Sequence, residues 1–280
     1  MAESPFIGPG GKPRLIDCAV LFFDLLGVSA MAKGAKAEGE LHRFAEAIRG
    51  AVRYPIGVAA AEAAPGAYPA SVFSDSVVQA VPILDDLPPA AAIFQVLIEV
   101  AQLQTELAMR NYFARGAITL DEFHTYEGLL FGPALVEAAA LERDVAVSPR
   151  IVISPVASAA LLRARGAGEG EKPFYEAAPV LVDEDGVAFV DYLTGAFQAD
   201  PAIEMRDKLQ AHRRAVEAQL EQAATIFHRW SKHRWVAEYH NEIFFTYREE
   251  LKKHGGFEAF LIDSIHTKRS FTALMPAGQM

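Results

Sequence analysis

Residues 15–24, LIDCAVLFFD, are the segment that most limits how this chain folds. The run is almost wholly apolar, which is typical of a buried strand. A buried strand needs other elements packed around it, so the chain must build a layered core. The run ends on one carboxylate, Asp24, which either caps the following turn or holds a metal ion.

The composition supports a folded core. The chain has 280 residues, enough for one large domain or a core domain with an extension, and 51% of them are hydrophobic. Its net charge of −10 argues against direct nucleic-acid binding. The sole cysteine, Cys18, excludes a disulfide within one chain, which suits a reducing cytoplasm. We expect Cys18 to be a small core residue.

The chain carries no sign of a membrane or export signal. Its N-terminus lacks the charged-then-apolar pattern of a signal peptide. No apolar run approaches the roughly 18–20 residues that span a bilayer. We therefore expect a cytoplasmic protein without membrane contact. The GPGGKP stretch lacks the spacing of a phosphate-binding loop, so residues 1–14 are expected to form a flexible arm.

The order of elements indicates the fold class. Apolar periodicity predicts a strand at 15–24, a helix at 39–52, a strand pair at 71–83, a helix at 85–112, a strand pair at 113–132, a helix at 133–143 and a strand at 149–155. Helices that alternate with a largely antiparallel sheet indicate an α+β fold with a ferredoxin-like core. Asp86 is expected to cap the long helix, residues 55–68 to form a loop, and Asp185-Gly186 to turn a further hairpin.

The C-terminal part differs in character. Two helices are predicted at 201–230 and 231–254, the first charged and the second unusually aromatic. The apolar stripe of the first comprises Leu209, Val216, Leu220, Ala224 and Phe227. We divide the chain into the arm, a core domain at 15–198 and a helical extension at 199–280. The extension either covers the core or pairs with a second subunit.

Two acidic residues lie in apolar strand contexts, Asp24 in FFDLLG and Asp75 in FSDSVV. In a ferredoxin-like sheet the end of the first strand lies beside the next hairpin, so the two carboxylates should meet. Paired carboxylates repel unless a cation or a proton relieves them. Oxygen ligands of this kind suit Mg²⁺ or Mn²⁺, with substrate phosphates completing the shell. The backbone of residues 25–28, with Gly27 allowing close approach, offers N–H groups at the same place.

At these residues the sequence resembles a known family. FFDLLGVS, FSDSVV and RGAIT…LLFGPALVEAAALE are similar to the class III nucleotidyl cyclases. Within that group they most resemble the bacterial pyrimidine (uridylate or cytidylate) cyclases of anti-phage Pycsar defence. The resemblance spans roughly residues 15–155, and KHRWVAEYHNE also resembles a C-terminal segment of those proteins.

The resemblance implies a reaction and a set of site residues. A nucleoside triphosphate would form a 3′,5′-cyclic nucleotide and pyrophosphate, with two Mn²⁺ or Mg²⁺ ions per site. Asp24, Asp75 and the Leu25 backbone would hold the metal, and Leu25, Leu26, Gly27 and Val28 would surround the phosphates. The family further implies a head-to-tail homodimer with interfacial active sites, and a separate effector that senses the product for antiviral defence.

The sequence departs from the purine cyclases of that family. Their ribose-orienting Asn and transition-state Arg fall on Val136 and Ala140, and their purine-reading Lys and Asp on Ser71 and Leu129. The two metal-binding carboxylates are retained, whereas the purine-reading residues are absent. This combination favours a substrate with a different base. The Ser71 hydroxyl both donates and accepts, so it suits either pyrimidine. The family resemblance implies UTP, with CTP as the alternative. Arg115 is the candidate for the lost cation, unless it is structural.

Two other functions stay open. One is a catalytically inactive cyclase-like domain that binds a nucleotide, which the changes at Val136 and Ala140 favour. The other is a phosphohydrolase of the haloacid dehalogenase type, although Leu26 stands where its second Asp is required. Glu137 and Glu142 are expected to be solvated or paired. Of the aromatic helix, Trp230 and Trp235 are expected to pack.

Overall fold

A computed structural model describes residues 4–28, 37–52, 70–73, 75–84, 87–166, 178–197, 202–252, 260–263 and 269–274. Its strands are β1 Ile16–Leu25, β2 Ala70–Phe73, β3 Ser76–Pro82, β4 Ala114–Tyr126, β5 Leu129–Phe131, β6 Ile151–Ile153, β7 Val180–Val182, β8 Ala188–Val190 and β9 Thr272–Ala273. Its α-helices are α1 Ala37–Val52, α2 Pro89–Met109, α3 Pro133–Asp144, α4 Pro155–Gly166, α5 Tyr192–Phe197, α6 Ala202–Gln222, α7 Phe227–Thr246 and α8 Arg248–Lys252.

The first half of the chain forms the ferredoxin-like core that the sequence predicts. Its elements run β1-α1-β2-β3-α2-β4, and its strands lie in the order β2-β3-β1-β4. All three of these pairings are antiparallel. This arrangement is the split βαβ topology, so the predicted α+β class is confirmed.

The sheet continues beyond β4. The strand β6 pairs with β4 in parallel, and β8, β7 and β9 follow in antiparallel pairings. The predicted hairpin forms around a turn in which the Gly186 N–H donates to the Asp183 carbonyl at 2.9 Å. Because β9 joins β7, residues on both sides of the predicted boundary at 198 share one sheet.

Side chains of β1 alternate between two hydrophobic clusters. Ala19, Leu21 and Phe23 belong to the main cluster, which also contains α2 and the C-terminal helices. Cys18 and Val20 face the opposite way and pack with the start of α3, where Ala134 is buried. The prediction that Cys18 is a core residue is confirmed. By the same alternation Asp24 lies on the α3 face of the sheet.

The predicted boundary between the C-terminal helices is wrong. The helix expected over 201–230 ends at Gln222, and the chain turns where the Ile226 N–H donates to the Ala223 carbonyl at 2.8 Å. The apolar stripe therefore stops at Leu220, and Phe227 begins the next helix with 80% of its surface exposed. The helix α4 was not predicted.

The remaining sequence expectations have mixed outcomes. Residues 55–68 and Asp86 lie outside the described residues, and Pro88 precedes α2 without a side-chain cap. Within the expected flexible arm, Phe6 is buried and packs edge-on against Phe123. In the ranges that the structure describes, every helix is too short or too polar to cross a membrane.

A buried charged network fixes α7 against the sheet. Arg150 is 2% exposed and pairs with Asp183 and Asp185 of the β7–β8 hairpin. The Trp235 indole N–H donates to the Asp183 carboxylate at 2.8 Å, and the Arg269 Nε donates to the same carboxylate at 2.6 Å. The carboxylate of Asp183 thus receives donors from three segments and holds α7 in place. The expectation that Trp235 packs is confirmed.

Candidate active site

The two predicted carboxylates meet at the end of β1. Asp24 pairs with Ser76 of β3, and Asp75 directly precedes that residue in the β2–β3 turn. The Leu25 N–H donates to the Asp75 carbonyl at 3.0 Å, which ties the two segments together. The Ser76 hydroxyl lies 3.5 Å from Asp24 Oδ1. The antiparallel hairpin therefore brings both acids to one corner of the sheet.

Arg115 lies on the side of Asp24 that is opposite to Ser76. The two residues are direct partners in the β1–β4 register, and Arg115 Nη2 is 4.0 Å from Asp24 Oδ2. Arg115 Nε is closer to Glu142 of α3, at 2.7 Å from Oε1. Both of these atoms are buried, and within the described residues neither has an aligned hydrogen bond. Glu142 is thus paired, as the sequence led us to expect.

The charge of Asp24 is poorly compensated. Burial and the neighbouring Asp75 carboxylate raise the pKa of Asp24 from its usual 3.8 to about 6, and Glu142 adds to the rise. Arg115 and the Ser76 hydroxyl oppose the shift without cancelling it. Binding of a cation next to Asp24 is therefore favourable, because the cation relieves the repulsion between the carboxylates.

The segment after Asp24 departs from one expectation. The Leu25 N–H donates to Asp75, and the Leu26 N–H donates to the Phe113 carbonyl at 2.9 Å. Both N–H groups are used in backbone hydrogen bonds, so they are not free for the phosphates that we expected them to bind. Gly27 lies in the turn after β1 with a φ of +89°, a left-handed conformation that favours glycine. Gly27 and Val28 remain candidate phosphate contacts.

Close packing of backbones explains two glycines in the resembling motifs. A Cβ on Gly116 would lie 2.3 Å from the Phe22 carbonyl oxygen, because the paired strands β1 and β4 lie very close together beside Arg115. Gly132 has a φ of +146°, and its Cβ would lie 2.5 Å from the Glu122 carbonyl oxygen. The absence of a Cβ at Gly132 lets the residue that precedes α3 lie directly against β4.

Three positions at which the sequence departs from the purine cyclases, Ser71, Leu129 and Val136, lie on elements other than β1, namely β2, β5 and α3. Ser71 pairs with Val78, which in turn pairs with Phe22, so Ser71 is two strands from β1. Leu129 and Val136 are 56% and 71% exposed. In this strand order β3 separates Ser71 from the strand that carries Asp24.

A lysine that the sequence analysis did not single out reaches the site from α7. Lys232 is half-buried, and the charges of Arg115, Glu142 and Asp24 all act on its ammonium group. Burial lowers the pKa of Lys232, as does Arg115, whereas the two carboxylates raise it. No spacing in the sequence relates residue 232 to residue 24, so only the packing of α7 reveals the proximity.

The donor set fits a divalent cation that is shared with a ligand. Across the described ranges no group of three or more His, Cys, Asp or Glu side chains could hold a metal ion. The corner supplies two carboxylates, Asp24 and Asp75, whose mutual repulsion Arg115 and Ser76 offset only in part. Hard oxygen donors of this number suit Mg²⁺ or Mn²⁺, which commonly take their other ligands from water and substrate phosphates.

Comparisons with known proteins give only distant similarities. No protein-family model and no curated protein matches the chain. Among solved structures, the adenylyl cyclase CyaB from P. aeruginosa has 10% identity and a TM-score of 0.47, covering 63% of this chain and 94% of that one.

Two further solved structures are similar at the same level. The guanylyl cyclase domain of the RhoGC fusion protein from Blastocladiella emersonii has 13% identity and a TM-score of 0.37, covering 62% of this chain and 94% of its own. An adenylate/guanylate cyclase/hydrolase from Silicibacter pomeroyi has 18% identity and a TM-score of 0.37, covering 63% and 95%. Similarities this weak do not establish a shared function.

Proposed function

We propose that this protein is a metal-dependent nucleotidyl cyclase of the class III type. The observation that supports this most is the Asp24–Asp75 pair, whose charge Arg115 compensates only in part, at the corner of a ferredoxin-like sheet. Two acids and a cation in one place suit a polyphosphate substrate that arrives with divalent ions. The motif resemblance around Asp24 and Asp75 supports the same conclusion.

In the proposed reaction the 3′-oxygen of a nucleoside triphosphate bonds to the α-phosphorus. The bond from that phosphorus to the bridging oxygen of the β-phosphate breaks, pyrophosphate leaves, and the hydroxyl proton passes to solvent. Divalent ions, when bound, would lower the pKa of the hydroxyl and neutralise the triphosphate. Asp24 and Asp75 would hold these ions. Arg115, kept in position by Glu142, would stabilise charge on the phosphates.

We favour UTP over CTP as the substrate, on the sequence resemblance. The absence of the purine-reading pair, with Ser71 and Leu129 in its place, supports a pyrimidine. Incubation with Mn²⁺ and each of ATP, GTP, CTP and UTP should give the most cyclic product from UTP. A clear preference for CTP or a purine would contradict the choice of base. Binding without any cyclic product would favour the inactive nucleotide-binding domain, for which the changes at Val136 and Ala140 argue.

The proposed active form is a homodimer with sites at the interface. Four large apolar side chains of the β4–β5 hairpin and α3 are 41–71% exposed, namely Tyr126, Leu129, Phe131 and Val136. Apolar side chains exposed together on adjacent elements are typical of an interaction surface. Sedimentation at assay concentration should detect the dimer, and full activity from a strictly monomeric protein would contradict it.

The remaining parts of the proposal concern the biological setting. Nucleoside triphosphate substrates would be met in the cytoplasm. The resemblance to Pycsar cyclases supports a cyclic product that acts as a second messenger in antiviral defence and is read by a separate effector protein. We also propose that residues 199–280 extend the core instead of forming an independent unit, since β9 pairs with β7.

A further inference from the structure

The first turns of α7 are fixed beside the candidate site by contacts on both sides of Lys232. The ring of His233 packs edge-on against Phe113, with centroids 5.3 Å apart. The Phe113 carbonyl also accepts a hydrogen bond from the N–H of Leu26, at 2.9 Å. Leu26 is two residues after Asp24. Trp235, one turn further on, is held by its hydrogen bond to Asp183. The backbone at residue 232 is therefore positioned next to the corner where the carboxylates meet.

The two cations near this corner are engaged differently. Arg115 is already paired with Glu142 at 2.7 Å and lies 4.0 Å from Asp24. Lys232 makes neither an ion pair within 4.0 Å nor a hydrogen bond with any residue in the described ranges. A half-buried ammonium that is surrounded by charges and bonded to none of them is available to a ligand.

The charge balance of the corner favours an anionic ligand once metal is bound. Asp24, Asp75 and Glu142 carry three negative charges, and Arg115 and Lys232 carry two positive ones, so the net charge is −1. Two divalent ions would change the net charge to +3. A nucleoside triphosphate with about four negative charges matches such a site. Because metal ions repel an ammonium group, Lys232 belongs with the phosphates and not with the metal.

We propose that Lys232 of α7 binds the phosphate chain of the substrate, so that the C-terminal helices contribute directly to the active site. This inference rests on the proposed function, because it assigns the phosphates of the same substrate. The proposal gives the C-terminal region a role in substrate binding in addition to its packing on the core. The compact ammonium group of lysine suits phosphate contact as a point charge.

The test is calorimetric titration of the full-length protein with inorganic triphosphate in the presence of Mg²⁺, and separately with Mn²⁺ alone. We expect Lys232→Gln to weaken triphosphate binding about 10–100-fold, as the loss of a charge-assisted contact implies. Mn²⁺ binding should stay equal or become tighter, because a nearby positive charge is gone. Lys232→Arg should restore most of the affinity for triphosphate. Lys252→Gln, at an exposed lysine paired with Glu249, is the matched control and should change nothing.

The outcomes separate this inference from the proposed function. Unchanged triphosphate affinity in Lys232→Gln, or no triphosphate binding by the wild-type protein, would overturn the role of Lys232. Equal weakening of triphosphate and Mn²⁺ binding would also overturn it, because that pattern indicates a structural disturbance. If Lys232 governs triphosphate binding but no nucleotide is cyclised, the inference stands and the cyclase proposal fails.

Discussion

Asp24→Asn is expected to abolish metal-dependent cyclisation and, at the same time, to make the metal-free protein more stable. The folded state raises the pKa of Asp24 to about 6, above its usual value, so the ionised carboxylate opposes folding at pH 7.5. The amide keeps the size of the side chain and removes its repulsion with Asp75 and Glu142. After a discount for partial exposure, the gain is about 1–2 kcal/mol, or roughly 2–8 °C in unfolding temperature.

Thermal unfolding with and without Mn²⁺ measures this effect. Added Mn²⁺ should stabilise the wild-type protein and leave Asp24→Asn unchanged, since only the folded wild-type site binds the ion. Asp144→Asn is the control, because Asp144 is exposed and paired with Arg143, so its loss should not raise the unfolding temperature. An Asp24→Asn protein that is less stable than wild type, or that still cyclises nucleotides, would contradict the role of this carboxylate.

Acidification is the second change with a large expected effect, and a hydrogen-bonded pair of buried histidines contributes much of that effect. The Tyr192 hydroxyl lies 2.8 Å from His212 Nε2, the Nδ1 atoms of His212 and His240 are 2.9 Å apart, and His240 Nε2 is 2.8 Å from the Phe260 carbonyl oxygen. One proton in each hydrogen bond satisfies this chain when both rings are neutral. An extra proton on His240 Nδ1 would face the N–H of His212, and one on His212 Nε2 would displace the hydrogen bond that the Tyr192 hydroxyl donates.

The physical consequence is a loss of stability below about pH 6.5. Burial lowers the pKa of His240 to about 4 and lowers that of His212 well below its usual value. The unfolded chain therefore takes up protons that the folded chain cannot, and stability falls as the pH drops below the unfolded pKa. Each histidine should lower the free energy of unfolding by roughly 2 kcal/mol between pH 7 and pH 5, so the pair should lower it by about 4 kcal/mol.

Urea unfolding at pH 7, 6 and 5 checks this expectation. The informative quantity is the change in the free energy of unfolding with pH (the pH slope), and not its absolute value. His240→Gln should lose about half of the slope that the pair contributes, because one titrating ring is gone. His228→Gln should keep the wild-type slope, since His228 is exposed. Asp24 titrates with the opposite sign, and His233, whose pKa burial lowers to about 4, titrates with the same sign, but both are common to all three proteins. An identical slope in wild type and His240→Gln would show that the histidine pair does not control acid stability.

Much of the fold could be predicted because its signals are local. The apolar run of β1, the Asp185-Gly186 turn and the periodicity of α2 are each contained in one short segment. The register that joins Asp24 to Ser76 and Arg115 follows from ferredoxin-like topology once the strands are known. The helix α4 was missed, and the α6–α7 boundary was misplaced. The second error lies where helical sequence continues through a turn that only tertiary packing selects.

The site was predictable only in part, for a related reason. Asp24 and Asp75 stand out as lone carboxylates in apolar strands, so sequence reasoning can find them. Lys232 and the pairing of Glu142 with Arg115 depend on how α7 and α3 dock on opposite faces of the sheet. No sequence period connects those positions. The same holds for His212 and His240, which meet only because α6 packs against α7.

The central claim is that the Asp24–Asp75 corner catalyses an internal phosphoryl transfer. The most direct test is ³¹P NMR and mass spectrometry of UTP incubated with Mn²⁺ and the wild-type protein, with Asp24→Asn and Asp75→Asn alongside. We predict 3′,5′-cyclic UMP and pyrophosphate in equal amounts from wild type, and neither from the two variants. Inorganic phosphate without a cyclic product, no cyclic product from any of the four triphosphates, or equal product from the variants would contradict the claim.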